Sequence, residues 1–195
     1  MSANERRYMH EQTVPLTETM VLLGGQTILY FLSCGLAAVG LVLIIIGVAT
    51  PEWTAIEVEY IDKKILRNSK GLWRICIDDV CADIVKNKAV SLEVCEAFGL
   101  LAVLSGASCL GLLLTHLILQ SFRKPSKKFL LTLATLGGIL SAVFVTITAS
   151  VWGALHHVGG RNLYVGYSLI LTVIGGILLP ISGVLGCLTS RNNRF

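Results

Sequence analysis

The side chains able to do chemistry are few: six Cys, four His, and twelve Asp and Glu among 195 residues. They are also unevenly placed. Residues 50–96 hold three of the cysteines (Cys76, Cys81 and Cys95) and nine of the carboxylates. The pair Asp78-Asp79 lies between Cys76 and Cys81. If that pair is a two-residue hairpin turn joining strands over residues 72–77 and 80–85, Ile77 faces Val80. Cys76 then faces Cys81 in a non-hydrogen-bonded pair, where Cβ atoms are close enough to bridge. Asp-Asp is not the preferred turn pair, so a wider loop is the alternative. Such a short bridged ring gains little chain entropy. Its work would be to fix the hairpin register. Three cysteines is an odd number, which leaves Cys95 as a free thiol or as the partner of a second chain.

Asp78, Asp79 and Asp83 could meet a cation or line an ion path, and a solvated hairpin tip is the simpler reading. His156 and His157 are adjacent on a short connection, and no third ligand stands at structural-zinc spacing, so no metal is expected. No CxxC, Ser/His arrangement, intramembrane carboxylate pair or phosphate-binding glycine loop occurs. The expectation is therefore no enzyme and no cofactor.

The elements that must position these groups follow from hydropathy. The chain is 54% hydrophobic and 14% charged, against about 25% charged for a soluble domain. Four uncharged apolar runs reach the length of about 20 residues that a membrane helix needs. They cover residues 27–49, 97–120, 129–152 and 164–188. Of the Asp, Glu, Lys, Arg and His residues, only His116 falls inside them. The first run is longer than the apolar core of a cleaved signal, about 7–15 residues, and so reads as a span. Small residues at four-residue spacing, Ala134-Gly138-Ala142 and Ala107-Gly111, suit close helix approach within the bundle, with oligomerisation as the other use. Pro180 is expected to bend the fourth span, and Cys187 is a palmitoylation candidate.

Orientation follows from charge. The connection over residues 121–128 carries Arg123, Lys124, Lys127 and Lys128. Arg6 and Arg7 precede the first span, and Arg191 and Arg194 follow the last. The positive-inside rule places these three regions in the cytoplasm, with residues 50–96 and 153–163 outside. Residues 1–26 and 189–195 are then cytoplasmic ends. Residues 50–96 also hold seven Lys and Arg, balanced by the nine carboxylates. The net charge of +4 marks loop ends rather than one basic face, which argues against a nucleic-acid partner.

The outer loop reads as a small strand-rich module. Residues 53–61 alternate, with Ile56, Val58 and Tyr60 on one face and Glu57 and Glu59 on the other. Residues 62–70 are polar and read as a turn region. Ser91 is a candidate cap for a short helix over residues 92–98 that runs into the second span.

Trp53 after the first span, then Gly71-Leu72-Trp73, then Cys76 and Cys81, resemble the W…GLW…C…C signature. That signature belongs to the superfamily of claudins, peripheral myelin protein, epithelial membrane proteins and lens fibre membrane intrinsic protein. Leu163-Tyr164-Val165-Gly166-Tyr167 also looks like the opening of a claudin fourth span. The short gap between the cysteines and the GLWRIC segment are similar to the lens fibre and claudin-domain branch. Glu96 stands where the family often has Arg. The chain ends Asn193-Arg194-Phe195 rather than Tyr-Val, so claudin-type scaffold binding by the tail is not expected.

The resemblance implies an all-α left-handed four-helix membrane bundle with a small antiparallel extracellular sheet. It also implies that Trp53 and the GLW segment pack near the membrane surface. By resemblance the protein is a structural or interaction protein of the plasma membrane, at cell junctions or lateral contacts. Its partners would be the lipid bilayer and other membrane proteins, including copies of itself. A paracellular barrier or channel former, and an auxiliary subunit of a channel or receptor, are the alternatives.

Overall fold

A computed structural model describes residues 16–59, 65–78, 80–84, 89–122, 128–156 and 163–192. Four helices carry most of them: α1 (Leu16–Ala49), α2 (Val90–Ser121), α3 (Lys128–His156) and α4 (Tyr167–Asn192). Each contains an apolar stretch long enough to cross a membrane. In hydrocarbon a backbone must satisfy its own hydrogen bonds, and a continuous helix does so residue by residue. The outward faces of these helices are apolar, with Ile28, Leu104, Ile118 and Ile177 well exposed. The protein is a multi-pass membrane protein, embedded in the bilayer through these four helices.

Among the described residues five strands form one antiparallel sheet: β1 (Thr54–Glu59), β2 (Ile65–Lys70), β3 (Arg74–Ile77), β4 (Val80–Asp83) and β5 (Leu163–Val165). Their order is β4-β3-β2-β1-β5, so the sheet is open and β4 and β5 are its edges. It sits where α1 ends, α2 begins, α3 ends and α4 begins.

Close approach holds the bundle together. A Cβ on Gly175 of α4 would stand 2.5 Å from Gly40 O of α1, and one on Gly138 of α3 would stand 2.8 Å from Leu179 O of α4. Hydroxyls add ties between helices. Ser33 Oγ donates to Ser182 O at 2.7 Å, Ser141 Oγ to Ala102 O at 2.8 Å, and Tyr30 Oη to Leu113 O at 2.7 Å. The His116 ring is buried against Tyr30, centroids 5.4 Å apart. Ala134 and Gly138 lie in the core. Gly111 does not: it is exposed, with nothing within 4 Å of a Cβ placed on it. The Ala107-Gly111 pair therefore faces outward and packs no helix of this bundle. Pro180 lies inside α4.

Several elements differ from the sequence expectation. Residues 65–70, read as a turn region, form β2. Residues 163–165 form β5, and the fourth helix starts only at Tyr167. α2 starts at Val90 as one continuous helix, and Ala89 O accepts from the N–H groups of Leu92 and Glu93. Ser91 is therefore inside the helix and is not its cap. β3 begins at Arg74, so Trp73 precedes the strand rather than alternating within it. Tyr60, expected on the first strand, lies outside the described residues.

Candidate functional site

The end of α1 sets the geometry. The last carbonyls of a helix have no partner inside it. Thr50 serves Ile46 O twice, by its N–H at 3.0 Å and its hydroxyl at 2.7 Å. The next residue, Pro51, has no N–H to offer. Two indoles supply what is missing. Trp53 Nε1 donates to Gly47 O at 2.8 Å, and Trp73 Nε1 donates to Val48 O at 2.9 Å. The two tryptophans of the sequence motif are thus side-chain caps on one helix terminus.

Packing fixes them there. Trp53 is fully buried and meets Trp152 of α3 edge-on, centroids 5.3 Å apart and planes at 61°. Gly71 is pressed on the chain after α1: a Cβ there would stand 2.5 Å from Pro51 Cα. Leu72 is fully buried, and its Cδ2 lies 3.2 Å from where a Cβ on Gly99 of α2 would be. Gly71-Leu72-Trp73 therefore binds the start of the β3–β4 hairpin to both α1 and α2. Gly71 permits the close approach, Leu72 fills the core, and Trp73 caps the helix.

The other half of the sheet is tied to α4. Gly166 N donates to Trp53 O at 2.9 Å, and Ser168 N donates to Glu52 O at 3.1 Å. Ser168 Oγ accepts from Glu52 N at 3.2 Å and shares a 2.7 Å hydrogen bond with Thr50 Oγ1. A Cβ on Gly166 would overlap Glu52 O. Sequence reasoning assigned no anchoring role to Gly166, Ser168 or Trp152. Gly166 was visible only as part of the Leu163–Tyr167 segment. Trp152 carried a signal of its own, an aromatic near the end of an apolar run, where membrane interfaces favour Trp.

Beyond these anchors projects the β3–β4 hairpin. Its register pairs Arg74 with Asp83, Ile75 with Ala82, Cys76 with Cys81 and Ile77 with Val80. Cys76 and Cys81 are joined by a disulfide, with Cα atoms 4.0 Å apart. The turn places Asp78 at φ 52°, a left-handed conformation that Asp tolerates better than most residues. Directly opposed residues share a sheet face. Ala55, Ser69 and Cys76 therefore form one row across the sheet, and all three are buried. Ile75, Ile77 and Val80 lie on the opposite face and are exposed.

Of the three acidic candidates, Asp78 and Asp83 are among the described residues. Asp83 Oδ1 accepts from Arg74 Nε at 2.8 Å, an exposed ion pair. Asp78 is at the exposed tip, and Asp79 lies outside the described residues, as does His157. Among the described residues no group of three His, Cys, Asp or Glu is placed to hold a metal. Cys95 is fully buried in α2, and its Sγ lies 3.7 Å from Thr148 O of α3. Cys34 and Cys109 are buried free thiols too, and Cys187 is half-buried.

Four apolar helices bearing a capped, bridged sheet are accompanied by a match to one family model, that of the PMP-22/EMP/MP20/Claudin family, over residues 25–186. The chain belongs to that family. No curated protein matches the chain. Members of the PMP-22/EMP/MP20/Claudin family are structural membrane proteins rather than enzymes, and among its described residues this member carries four apolar spans and one open sheet.

Proposed function

We propose that this protein is a structural contact protein of the plasma membrane, from the lens fibre and claudin-domain-containing branch of its family. Its sheet lies outside the cell and both ends lie in the cytoplasm. The sheet meets neighbouring membrane proteins, in the same membrane or an adjoining one. The observation that carries this reading is the hairpin. Its base is fixed by Trp73 to the end of a membrane helix, its register is held by a disulfide, and it presents Ile75, Ile77 and Val80 uncovered. A rigid mount that exposes apolar side chains suits recognition of another protein, since burying them on contact is favourable by about 25 cal/mol per Å².

Freeze-fracture of cells expressing the protein alone is the test, paired with Val80→Asp. Dispersed particles that cluster at contacts, and lose that clustering in the variant, support the proposal. Continuous strands would make the protein a barrier former. Particles that co-purify with one large partner would make it an auxiliary subunit. Orientation is read separately, with an epitope inserted at the exposed Asp78 tip. Antibody should reach it on intact cells and reach terminal tags only after permeabilisation. A terminal tag exposed on intact cells refutes the orientation.

A further inference from the structure

The β5 end of the sheet poses a physical problem. Tyr164 and Val165 are neighbours on a strand, so their side chains point to opposite faces. Yet Tyr164 is 57% exposed and Val165 is 63% exposed. Neither face of β5 is covered at these positions, and no strand lies beside its outer edge among the described residues. Tyr167, the next large side chain, is 48% exposed.

These residues are continuous with a surface whose surroundings are known. Tyr167 is the first residue of an apolar stretch long enough to span the membrane. It shares a helix face with Ile170, Ile174 and Ile177, which recur every three or four residues and are all exposed. On a membrane helix that face meets acyl chains. Val165 lies two residues before Tyr167, about 7 Å along an extended chain. The polar interfacial layer beyond the hydrocarbon is about 5–8 Å deep on each side. Tyrosine prefers that layer because its ring is apolar and its hydroxyl stays wet. The register of β1 agrees with this level. Its Thr54 pairs with Val165, and from there β1 runs away from α1 towards Glu57 and Glu59.

We infer that the β5 edge of the sheet is embedded in the lipid interface, with Tyr164, Val165 and Tyr167 as its anchors and phospholipid as the partner. The sheet then has two unlike edges. One is sealed by lipid, and β4 is left as the edge open to water. This holds whichever contact role the protein plays.

The test uses the full chain reconstituted in phosphatidylcholine vesicles. Cys187→Ser provides the background, because the other free cysteines of the described residues, Cys34, Cys95 and Cys109, are buried. An environment-sensitive fluorophore is attached at Val165→Cys and, in a separate protein, at Val80→Cys. A fraction of the phosphatidylcholine carries a nitroxide just below the headgroup. The expected result is severalfold stronger quenching at position 165 than at position 80, with a blue-shifted emission at 165. Equal quenching at the two positions, or stronger quenching at 80, overturns the inference. Tyr164→Cys gives an independent reading on the same strand, and weak quenching there overturns it as well.

Discussion

Replacing the indole of Trp53 by a benzene ring isolates the cap from the packing. Trp53→Phe keeps most of the buried aromatic volume against Trp152 but removes the donor to Gly47 O. Pro51 has no N–H with which to replace it. A buried carbonyl left without a donor costs about 1–3 kcal/mol. Trp73→Phe removes the corresponding donor to Val48 O, but Trp73 is only partly buried, so water can replace it. Its cost should stay near the net value of one hydrogen bond, about 1 kcal/mol. For a chain of this size each kcal/mol moves a melting midpoint by about 2–4 °C. Trp53→Ala removes the ring as well, for about 3–5 kcal/mol. The buried cysteines supply the assay. A fluorogenic maleimide reacts with Cys34, Cys95 and Cys109 only as the bundle opens on heating in detergent. The midpoints should fall in the order wild type, Trp73→Phe, Trp53→Phe, Trp53→Ala. A Trp53→Phe midpoint equal to wild type would refute the idea that the indole N–H caps α1.

The disulfide, the β1–β5 junction and the buried thiol give three further expectations. Cys76→Ser and Cys81→Ser should each reduce surface biotinylation through retention in the endoplasmic reticulum. The double variant should be no worse, because both changes remove the same bond; wild-type surface levels would show the bridge to be dispensable. Gly166→Ala puts a methyl group onto Glu52 O, and overpacking of that kind costs about 1–3 kcal/mol. The same maleimide assay should show a lower midpoint, whereas Gly153→Ala, with nothing within 4 Å of its added Cβ, should not change it. Cys95 should remain unlabelled by maleimide until the protein is denatured, and Cys95→Ser should leave non-reducing gels unchanged; a dimer band that disappears in that variant would place Cys95 in an intermolecular bond.

The sequence exposes some of this architecture and conceals the rest for physical reasons. The four spans are plain because a charge at mid-bilayer costs about 2.5–3.5 kcal/mol, which leaves long uncharged runs. The hairpin is plain because Cys76 and Cys81 flank a polar pair. β2 is concealed because its Ser69 packs in a row with Ala55 and Cys76, all small side chains. It therefore lacks the apolar alternation that marks a half-buried strand. β5 is concealed for the opposite reason: Leu163-Tyr164-Val165 is apolar and merges into the run that becomes α4. Trp53 caps a carbonyl only six positions back, but the cap by Trp73 is not local. It depends on bringing Trp73 to a carbonyl 25 positions earlier in the chain. The motif marks Trp53 and Trp73 but does not tell what their indoles bond to.

The pairing of β1 with β5 also dictates an order of assembly. Strands β1 to β4 come from one connection, but β5 is synthesised only after α2 and α3. Until it arrives, β1 has an unpaired edge, Trp53 O lacks the Gly166 N–H, and Glu52 O lacks the Ser168 N–H. Non-local pairing of this kind forms late, because the intervening chain must first be brought together. An open strand edge is meanwhile a template for unwanted pairing. The nascent chain therefore carries this hazard through the making of two further spans, and delivery of the fourth helix to the membrane is the step that ends it.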